Sequence, residues 1–265
     1  MAVRPSAVAG QFYPGNADRL RKQVSDLLAN IATPIKSIPE ALIAPHAGYV
    51  YSGATAAAAF ATLRNGAQTI TRVVIIGPAH YVHVLGIAAP TVDAFETPLG
   101  RVPVDTSALD AIAGLSAVIR DDAAHAPEHA LEVELPFLQI LLASFRVVPL
   151  LVGEVTPKEI AQVLFQLWDS SGTLIVVSSD LSHYHDYETA RRLDAATAVA
   201  IERGDWASLA PHQACGSLAV AGLLMETGRR GLTIRRLSLC NSGDTAGSRD
   251  RVVGYGAWMF AQTAS

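Results

Sequence analysis

Val73-Val74-Ile75-Ile76-Gly77-Pro78 is the clearest of three apolar stretches that each lead into a histidine, in this case His80. The other two run from residue 41 to 45 ahead of His46, and from residue 173 to 180 ahead of His183. Short stretches rich in Val and Ile, bounded by Gly, Pro and Ser, are typical of buried strands. Such strands belong to parallel sheets covered by helices, whose ligands bind beyond the carboxyl ends of the strands. The sequence therefore predicts that three imidazoles converge on one crevice and form a metal site.

The composition predicts a globular α/β protein. Half of the 265 residues are hydrophobic and only 17% are charged, so the chain can bury a sizeable core and is not disordered. Predicted strands and helices alternate along the whole chain without a repeat or a linker, which favours a single domain over residues 1–265. We expect an α/β fold with a mostly parallel central sheet flanked by helices.

The net charge, the length of the apolar stretches and the number of cysteines limit the expected partners and the expected cellular compartment. The net charge is −4 and no extended basic cluster is present, so nucleic acid is not an expected partner. No apolar stretch reaches transmembrane length and the start has no apolar leader, so we expect neither a membrane span nor secretion. Two cysteines cannot build a disulfide framework, which is typical of a reducing compartment and predicts a cytoplasmic protein.

Four histidines are the candidate site residues. His46, His80 and His183 occupy similar places in three separate strand–loop units, which sets them apart from the other histidines. His129 ends the polar stretch 121–129, which has the character of a functional loop, although a solvated surface loop would look the same. Two neutral imidazoles with one anionic ligand and open positions suit non-haem Fe(II), and the same ligand count suits catalytic zinc.

The sequence signals for the third metal ligand and for the supporting groups are less specific than those for the histidines. Asp244 lies in the Gly-rich loop 240–250, where it is either the third ligand or a turn residue. Asp180 ends a predicted strand beside His183, where it could orient an imidazole, bind the metal or cap the following turn. Cys215 lies at a predicted helix start, where a small buried cysteine is favoured over an activated thiolate.

Six short motifs, spread from the N-terminal region to the last loop, resemble those of the Memo-like family. They are A-G-Q-F-Y-P at residues 9–14, P-H-A-G-Y-V-Y-S-G at 45–53, G-P-A-H at 77–80, P-E-H-A-L-E at 127–132, S-S-D-L-S-H at 178–183 and N-S-G-D at 241–244. The resemblance implies an α/β fold similar to that of the class III extradiol dioxygenases. Those enzymes open catechol rings with non-haem Fe(II) held by two histidines and a glutamate.

The resemblance also implies roles for the candidate residues. His46 and His80 match the two metal-binding histidines, and His183 looks like the acid/base histidine. His129 looks like the histidine on the substrate side, and Asp180 joins these two as a candidate catalytic residue.

The chain departs from the dioxygenases at the third ligand. Its tail loop offers Asp244, Thr245 or Cys240 where the dioxygenases have glutamate. A eukaryotic Memo-like protein uses a cysteine ligand from this loop, but Cys240 does not fall clearly at that place. We take Asp244 as the predicted third ligand, and the departure affects ring cleavage more than metal binding.

The expected function is a dioxygenase-like oxidoreductase with a mononuclear metal site and a small aromatic substrate. Fe(II) is the first choice of metal, with copper and zinc as alternatives, because raw affinity does not select iron. The alternative function is a non-enzymatic metal-binding or interaction scaffold of the Memo-like family. Prokaryotic relatives are associated with an AMMECR-type protein and a radical-SAM protein, which are the expected protein partners.

Overall fold

The computed structural model describes residues 2–32, 37–168 and 172–263, so the outermost ends of the predicted domain, residue 1 and residues 264–265, lie outside it. In chain order its strands are β1 Val3–Arg4, β2 Ala41–Ala44, β3 Arg72–Pro78, β4 Ile87–Ala89, β5 Ala94–Thr97, β6 Gly100–Pro103, β7 Val118–Arg120, β8 Arg146–Val152, β9 Thr173–Ser178, β10 His183–His185, β11 Thr233–Asn241 and β12 Val252–Ala261. Its α-helices are α1 Ala17–Ala29, α2 Tyr49–Phe60, α3 Thr106–Ile112, α4 Asp122–His125, α5 Leu135–Leu141, α6 Pro157–Leu167, α7 Tyr187–Glu202 and α8 Ser217–Arg230.

The three predicted strands are neighbours in the central sheet. The strand order is β10-β12-β2-β9-β3-β8-β4-β7, with β11 also paired to β12, and a small separate sheet has the order β1-β5-β6. Strands β2, β9, β3 and β8 run parallel to one another. Every residue of β2 and β9 is buried, as expected for strands covered on both faces. The predicted α/β fold with a central sheet flanked by helices is confirmed.

The sheet is mixed, because antiparallel pairs flank its parallel centre. Strand β12 runs antiparallel to β2, β10 and β11, and β4 runs antiparallel to β8. Strands β11 and β12 are consecutive in the chain and pair antiparallel across the loop 242–251. The parallel centre still brings the carboxyl ends of β2, β9 and β3 to one edge of the sheet.

Six of the eight described helices pack in two groups, and α7 contacts β11 and β12. Helices α1, α2 and α5 contact one another, and α3, α6 and α8 form a second group in which α6 packs on α3 and α8. Helix α2 buries Ala56, Ala57 and Ala59, and these small side chains let it lie close to β11 and β12. None of the described helices combines the length and the apolar composition that a membrane span requires.

A buried ion pair fastens the N-terminal segment to the middle of the chain. Arg4 pairs with Glu132, and the two side chains are 4% and 0% exposed. The Glu132 carboxylate also accepts hydrogen bonds from the backbone N–H groups of Ala7 (2.7 Å) and Val8 (3.1 Å) and from the Tyr13 hydroxyl. Burial, followed by the charge of Glu132, raises the pKa of Tyr13, so this hydroxyl remains a donor. One buried carboxylate therefore holds four separate groups of the N-terminal segment.

Replacing Glu132 with alanine is expected to lower the free energy of unfolding by about 3–5 kcal/mol, because Arg4 would remain buried without its partner. Glu96→Ala is the matched control. Glu96 pairs with Arg101 at the surface, where the two side chains are 42% and 58% exposed, and such pairs contribute about 0–1 kcal/mol. Urea unfolding followed by circular dichroism measures both variants. Equal losses in the two would contradict the anchoring role of Glu132.

Candidate metal centre

Three of the predicted histidines meet at the carboxyl edge of the central sheet. His46 lies two residues after β2, and His80 lies two residues after β3. Their ring centroids are 5.1 Å apart, and the His129 ring lies 5.5 Å from His46 and 4.9 Å from His80. Strands β2 and β3, which lie on either side of β9 in the parallel centre of the sheet, therefore bring together His46 and His80 from distant parts of the sequence.

His183 reaches the same region by a different route. It does not directly follow β9 but is the first residue of the short strand β10, which pairs with β12. His183, His46, His80 and His129 all line a cavity of about 720 Å³, and Asp180 lies in its wall. The same wall carries aromatic rings, which belong to Phe12, Tyr51, Tyr81, Tyr184 and Tyr255.

The Glu128 carboxylate fixes the His80 ring. It accepts hydrogen bonds from the His80 backbone N–H (2.6 Å) and from His80 Nδ1 (2.9 Å), and from the backbone N–H groups of His129 and Ala130 (2.9 Å each). Burial acts to raise the pKa of Glu128, but the hydrogen bonds from His80 and the backbone outweigh it and lower the pKa. The anionic acceptor keeps a proton on His80 Nδ1 and leaves Nε2 free to bind a metal ion.

Ser178 fixes the His46 ring in a similar way. His46 Nδ1 lies 2.8 Å from Ser178 Oγ, which is also 2.6 Å from the Ala130 carbonyl oxygen and 2.9 Å from Glu134 Oε1. Burial raises the pKa of Glu134 well above its ordinary value, although the hydrogen bond from Ser178 acts in the opposite direction. The Ser178 hydroxyl is the donor toward the Ala130 and Glu134 oxygens, so toward His46 its oxygen accepts the Nδ1 proton. His46 Nε2 is therefore left without a proton.

Three of the clustered imidazoles, those of His46, His129 and His183, are neutral at pH 7. Burial, followed by the charges of His80, His129 and His183, lowers the pKa of His46 well below its ordinary value. Burial likewise lowers the pKa of His129 to about 4, and it also lowers the pKa of His183. A neutral imidazole is the form that binds metal, so His46 is in its metal-binding form at physiological pH.

Cys215 joins His46 and His80 in a group that could hold a metal ion. Its Sγ lies 3.3 Å from His46 Nε2, and the ligand atoms of the three side chains all lie within 4.8 Å of one another. Gly216 permits this approach, because a Cβ there would lie 2.8 Å from the Ser178 carbonyl oxygen. Burial raises the pKa of the thiol to about 12. The packing role favoured by the sequence does not include this contact. The one signal for it in the sequence is a thiol at a predicted helix start.

A second group of metal-binding side chains contains His80, Glu128 and His129, whose ligand atoms also lie within 4.8 Å of one another. The Glu128 oxygens in this group already accept four hydrogen bonds. His129 Nδ1 lies 3.3 Å from Glu128 Oε1 but makes no hydrogen bond to any described residue, although it is buried. The first group is the better metal site, since its two imidazole Nε2 atoms carry no proton and the thiol beside His46 Nε2 can itself bind the ion.

Asp180 supports the loop that carries His46. Its Oδ1 accepts a hydrogen bond from the His46 backbone N–H (2.9 Å), and its own backbone N–H donates to Cys215 Sγ (3.3 Å). Burial raises the pKa of the Asp180 carboxyl group to about 7. These contacts match a role for Asp180 in orienting the His46 imidazole.

Asp244, the predicted third ligand, does not lie with the histidines. Its carboxylate accepts hydrogen bonds from the Tyr187 hydroxyl and the Asn241 backbone N–H, and it lines a different cavity, next to Arg191. It caps its own turn, which is the alternative expected for an acid in a Gly-rich loop.

The other two tail-loop candidates also have partners away from the imidazoles. Cys240 Sγ lies 3.1 Å from Thr55 Oγ1 and lines the same separate cavity as Asp244. The Thr245 hydroxyl donates to the Ser242 carbonyl oxygen (3.1 Å). The tail loop therefore contributes to the wall of the main cavity through other residues, including Ser242 and Ser248.

Comparison with known proteins identifies relatives over nearly the full length. The family model described as Memo-like protein matches residues 4–259. A MEMO1 family protein of Aeropyrum pernix is 37% identical, over 97% of this chain and 99% of its own length. A MEMO1 family protein of Aquifex aeolicus is 34% identical, over 98% of this chain and 100% of its own length. A MEMO1 family protein of Archaeoglobus fulgidus is 36% identical, over 97% of this chain and 99% of its own length. The resemblance drawn from the six motifs is confirmed, and the chain belongs to the Memo-like family.

Proposed function

We propose that the protein is a metal-dependent, dioxygenase-like oxidoreductase whose metal ion is bound by His46, His80 and Cys215. The observation that carries the proposal is the fixed orientation of the two imidazoles. Glu128 and Ser178 engage their Nδ1 atoms, so both Nε2 atoms are free, and a thiol lies 3.3 Å from one of them. Imidazole nitrogens and sulfur are ligands of transition metals, whereas calcium and magnesium prefer oxygen ligands.

The separation between Cys215 and His46 suits a shared ion. For zinc, bonds of about 2.3 Å to sulfur and about 2.0–2.1 Å to nitrogen place tetrahedral ligand atoms about 3.5 Å apart. The 3.3 Å between Cys215 Sγ and His46 Nε2 is close to this value. The family resemblance favours Fe(II), whereas a thiolate ligand favours copper or zinc.

The protein's own groups would handle protons and orient the substrate. A bound ion of this kind would polarise substrate oxygens and, if it is Fe(II), would supply the site for O₂ chemistry. His183 is neutral because burial lowers its pKa, so it can accept a proton from a substrate hydroxyl in the cavity and return it later. His129 lies against His80 and can hydrogen-bond a substrate oxygen. Asp180 keeps the His46 loop in place.

A small aromatic molecule fits the character of the cavity. The wall combines four imidazoles with aromatic rings, and about 720 Å³ is within the range of sites that bind small molecules. The family resemblance adds an AMMECR-type protein and a radical-SAM protein as proposed partners. Co-purification from cell extract with each of them would test that association.

A non-enzymatic metal-binding scaffold is the second candidate. The observation that favours it is the thiol in the ligand group, because cysteine is a common ligand of structural zinc centres. A structural site would have no need for His183 or for a wide cavity. The activity test below separates the two functions.

The purified protein is expected to bind one transition metal ion. Cys215→Ser is expected to bind this ion at least about tenfold more weakly, because the loss of a hydrogen-bond partner outside the ligand shell already lowers metal affinity by about that factor. Cys240→Ser is the matched control because the chain has only two cysteines and Cys240 contacts Thr55 instead. Titration with Co(II) or Cu(II) gives the affinity, and the sulfur-to-metal charge-transfer absorbance reports the thiolate.

Two results would contradict this metal site. Loss of the charge-transfer band in Cys240→Ser, with the band kept in Cys215→Ser, would assign the sulfur ligand to the tail loop. A double variant, His46→Ala with His80→Ala, that binds as much metal as the parent would exclude the imidazole site altogether.

After anaerobic loading with Fe(II), the protein is expected to oxidise a member of a catechol panel in air, with ring opening followed by absorbance. His183→Ala is expected to lower the rate by about 10²–10⁴-fold, the usual contribution of a general acid–base group, with its metal content unchanged. His212→Ala, a histidine outside the cavity wall, is the control. Absence of turnover across the panel, with metal bound, would support the scaffold instead.

A further inference from the structure

His183 and Tyr184 are consecutive in the chain, yet both line the main cavity. Successive side chains of a regular strand point to opposite faces of the sheet, so a regular strand could not place both there. The register of β10 against β12 shifts between His183 and His185, and Tyr184 has a φ of 61°, the one positive φ of a non-glycine residue in the described chain. The irregular backbone at Tyr184 therefore turns a second side chain into the cavity.

This conformation has no explanation in core packing. Tyr184 is 64% exposed, and a bulky residue with positive φ is a rare and strained arrangement. Strained residues persist where the surrounding structure determines them, and they concentrate at ligand-binding positions. The strain at Tyr184 therefore indicates a role for its ring in binding.

Arg251 lies beside this ring. Its guanidinium carbon is 5.1 Å from the centroid of the Tyr184 ring, and it is the single Lys or Arg in the cavity wall. Among the described residues it forms no ion pair. The adjacent acid, Asp250, accepts a hydrogen bond from the Ser248 hydroxyl (2.8 Å) instead. The cavity thus has one positive charge without an anionic partner, placed over an aromatic ring.

We infer that Tyr184 and Arg251 form a clamp for an aromatic carboxylate, with the substrate ring against Tyr184 and its carboxylate on the Arg251 guanidinium. A guanidinium matches the planar carboxylate with two parallel hydrogen bonds, and an aromatic ring provides a flat surface for a second ring. The inference rests on the proposed function in placing the substrate in this cavity. It narrows the substrate class from small aromatic molecules to those that carry a carboxylate.

The test compares three ligands that separate the two parts of such a substrate: catechol, benzoate and 3,4-dihydroxybenzoate. Binding is measured by calorimetry to the zinc-loaded protein, which performs no redox chemistry, and to the metal-free protein. The parent is expected to bind 3,4-dihydroxybenzoate about tenfold more tightly than catechol, the typical gain from a hydrogen bond to a charged group.

Arg251→Ala is expected to remove this preference and to leave catechol binding unchanged. Arg249→Ala is the matched control, because Arg249 is a nearby exposed arginine that lies over Tyr187 and is outside the cavity wall. Equal affinity of the parent for catechol and 3,4-dihydroxybenzoate would overturn the inference. The same effect from both arginine variants, or no measurable binding of either carboxylate, would also overturn it.

Tyr184→Gly tests the strain directly. Glycine adopts positive φ without strain, so this variant is expected to unfold at the same or a higher temperature than the parent while binding the aromatic carboxylates several-fold more weakly. Tyr184→Phe keeps the ring and is expected to bind as the parent does. Unchanged binding in Tyr184→Gly would overturn the role of the ring.

The inference and the proposed function can fail separately. If the protein binds no metal, the proposed function fails, whereas the dependence of benzoate binding on Arg251 is still measured in the metal-free protein. If metal binds with the expected thiolate absorbance but Arg251→Ala has no effect on the carboxylates, only the clamp is overturned.

Discussion

An anion buried inside a protein is costly unless hydrogen bonds compensate it, and the Glu128 carboxylate meets this requirement with four N–H donors. Those donors belong to the loop after β3 and to the segment around His129, so both must come within hydrogen-bond distance of one side chain. The position of the His80 ring, the nitrogen that carries its proton and its contact with His129 all follow. Glu132, four positions along, applies the same constraint to the N-terminal segment, which places Phe12 4.7 Å from the His129 ring.

Two glutamates near the site reach the same result although their pKa values shift in opposite directions. Glu128 is an anion because several donors surround it, whereas Glu134 has a single polar partner, Ser178, and its other oxygen has none among the described residues. Burial therefore raises the pKa of Glu134. One glutamate accepts from its histidine directly and the other acts through Ser178, yet each histidine keeps its proton on Nδ1. The environment, and not the residue type, decides how each acid serves the site.

The sequence predicts the sheet and the two strand-end histidines because both depend on local features. Apolar stretches specify β2, β3 and β9, and parallel strands place His46 and His80 at one edge. The sequence does not identify Cys215, because its contact with His46 joins residues 169 positions apart and no local pattern reports such a contact. The sequence favours Asp244 because its loop is polar and Gly-rich, a composition that fits both a ligand and a self-capping turn. Only the hydrogen bonds of its carboxylate distinguish the two.

The wall of the main cavity runs from Gln11 to Tyr255, so residues near both ends of the described chain belong to it. The final strand, β12, lies between β10 and β2 in the sheet, and its pairing completes the side of the cavity that holds His183. A continuous piece of the chain must therefore include at least residues 11–255 to contain the whole cavity. Such a site cannot pass between proteins as a module. It can be inherited only with the entire fold, which is consistent with relatives that match this chain from end to end.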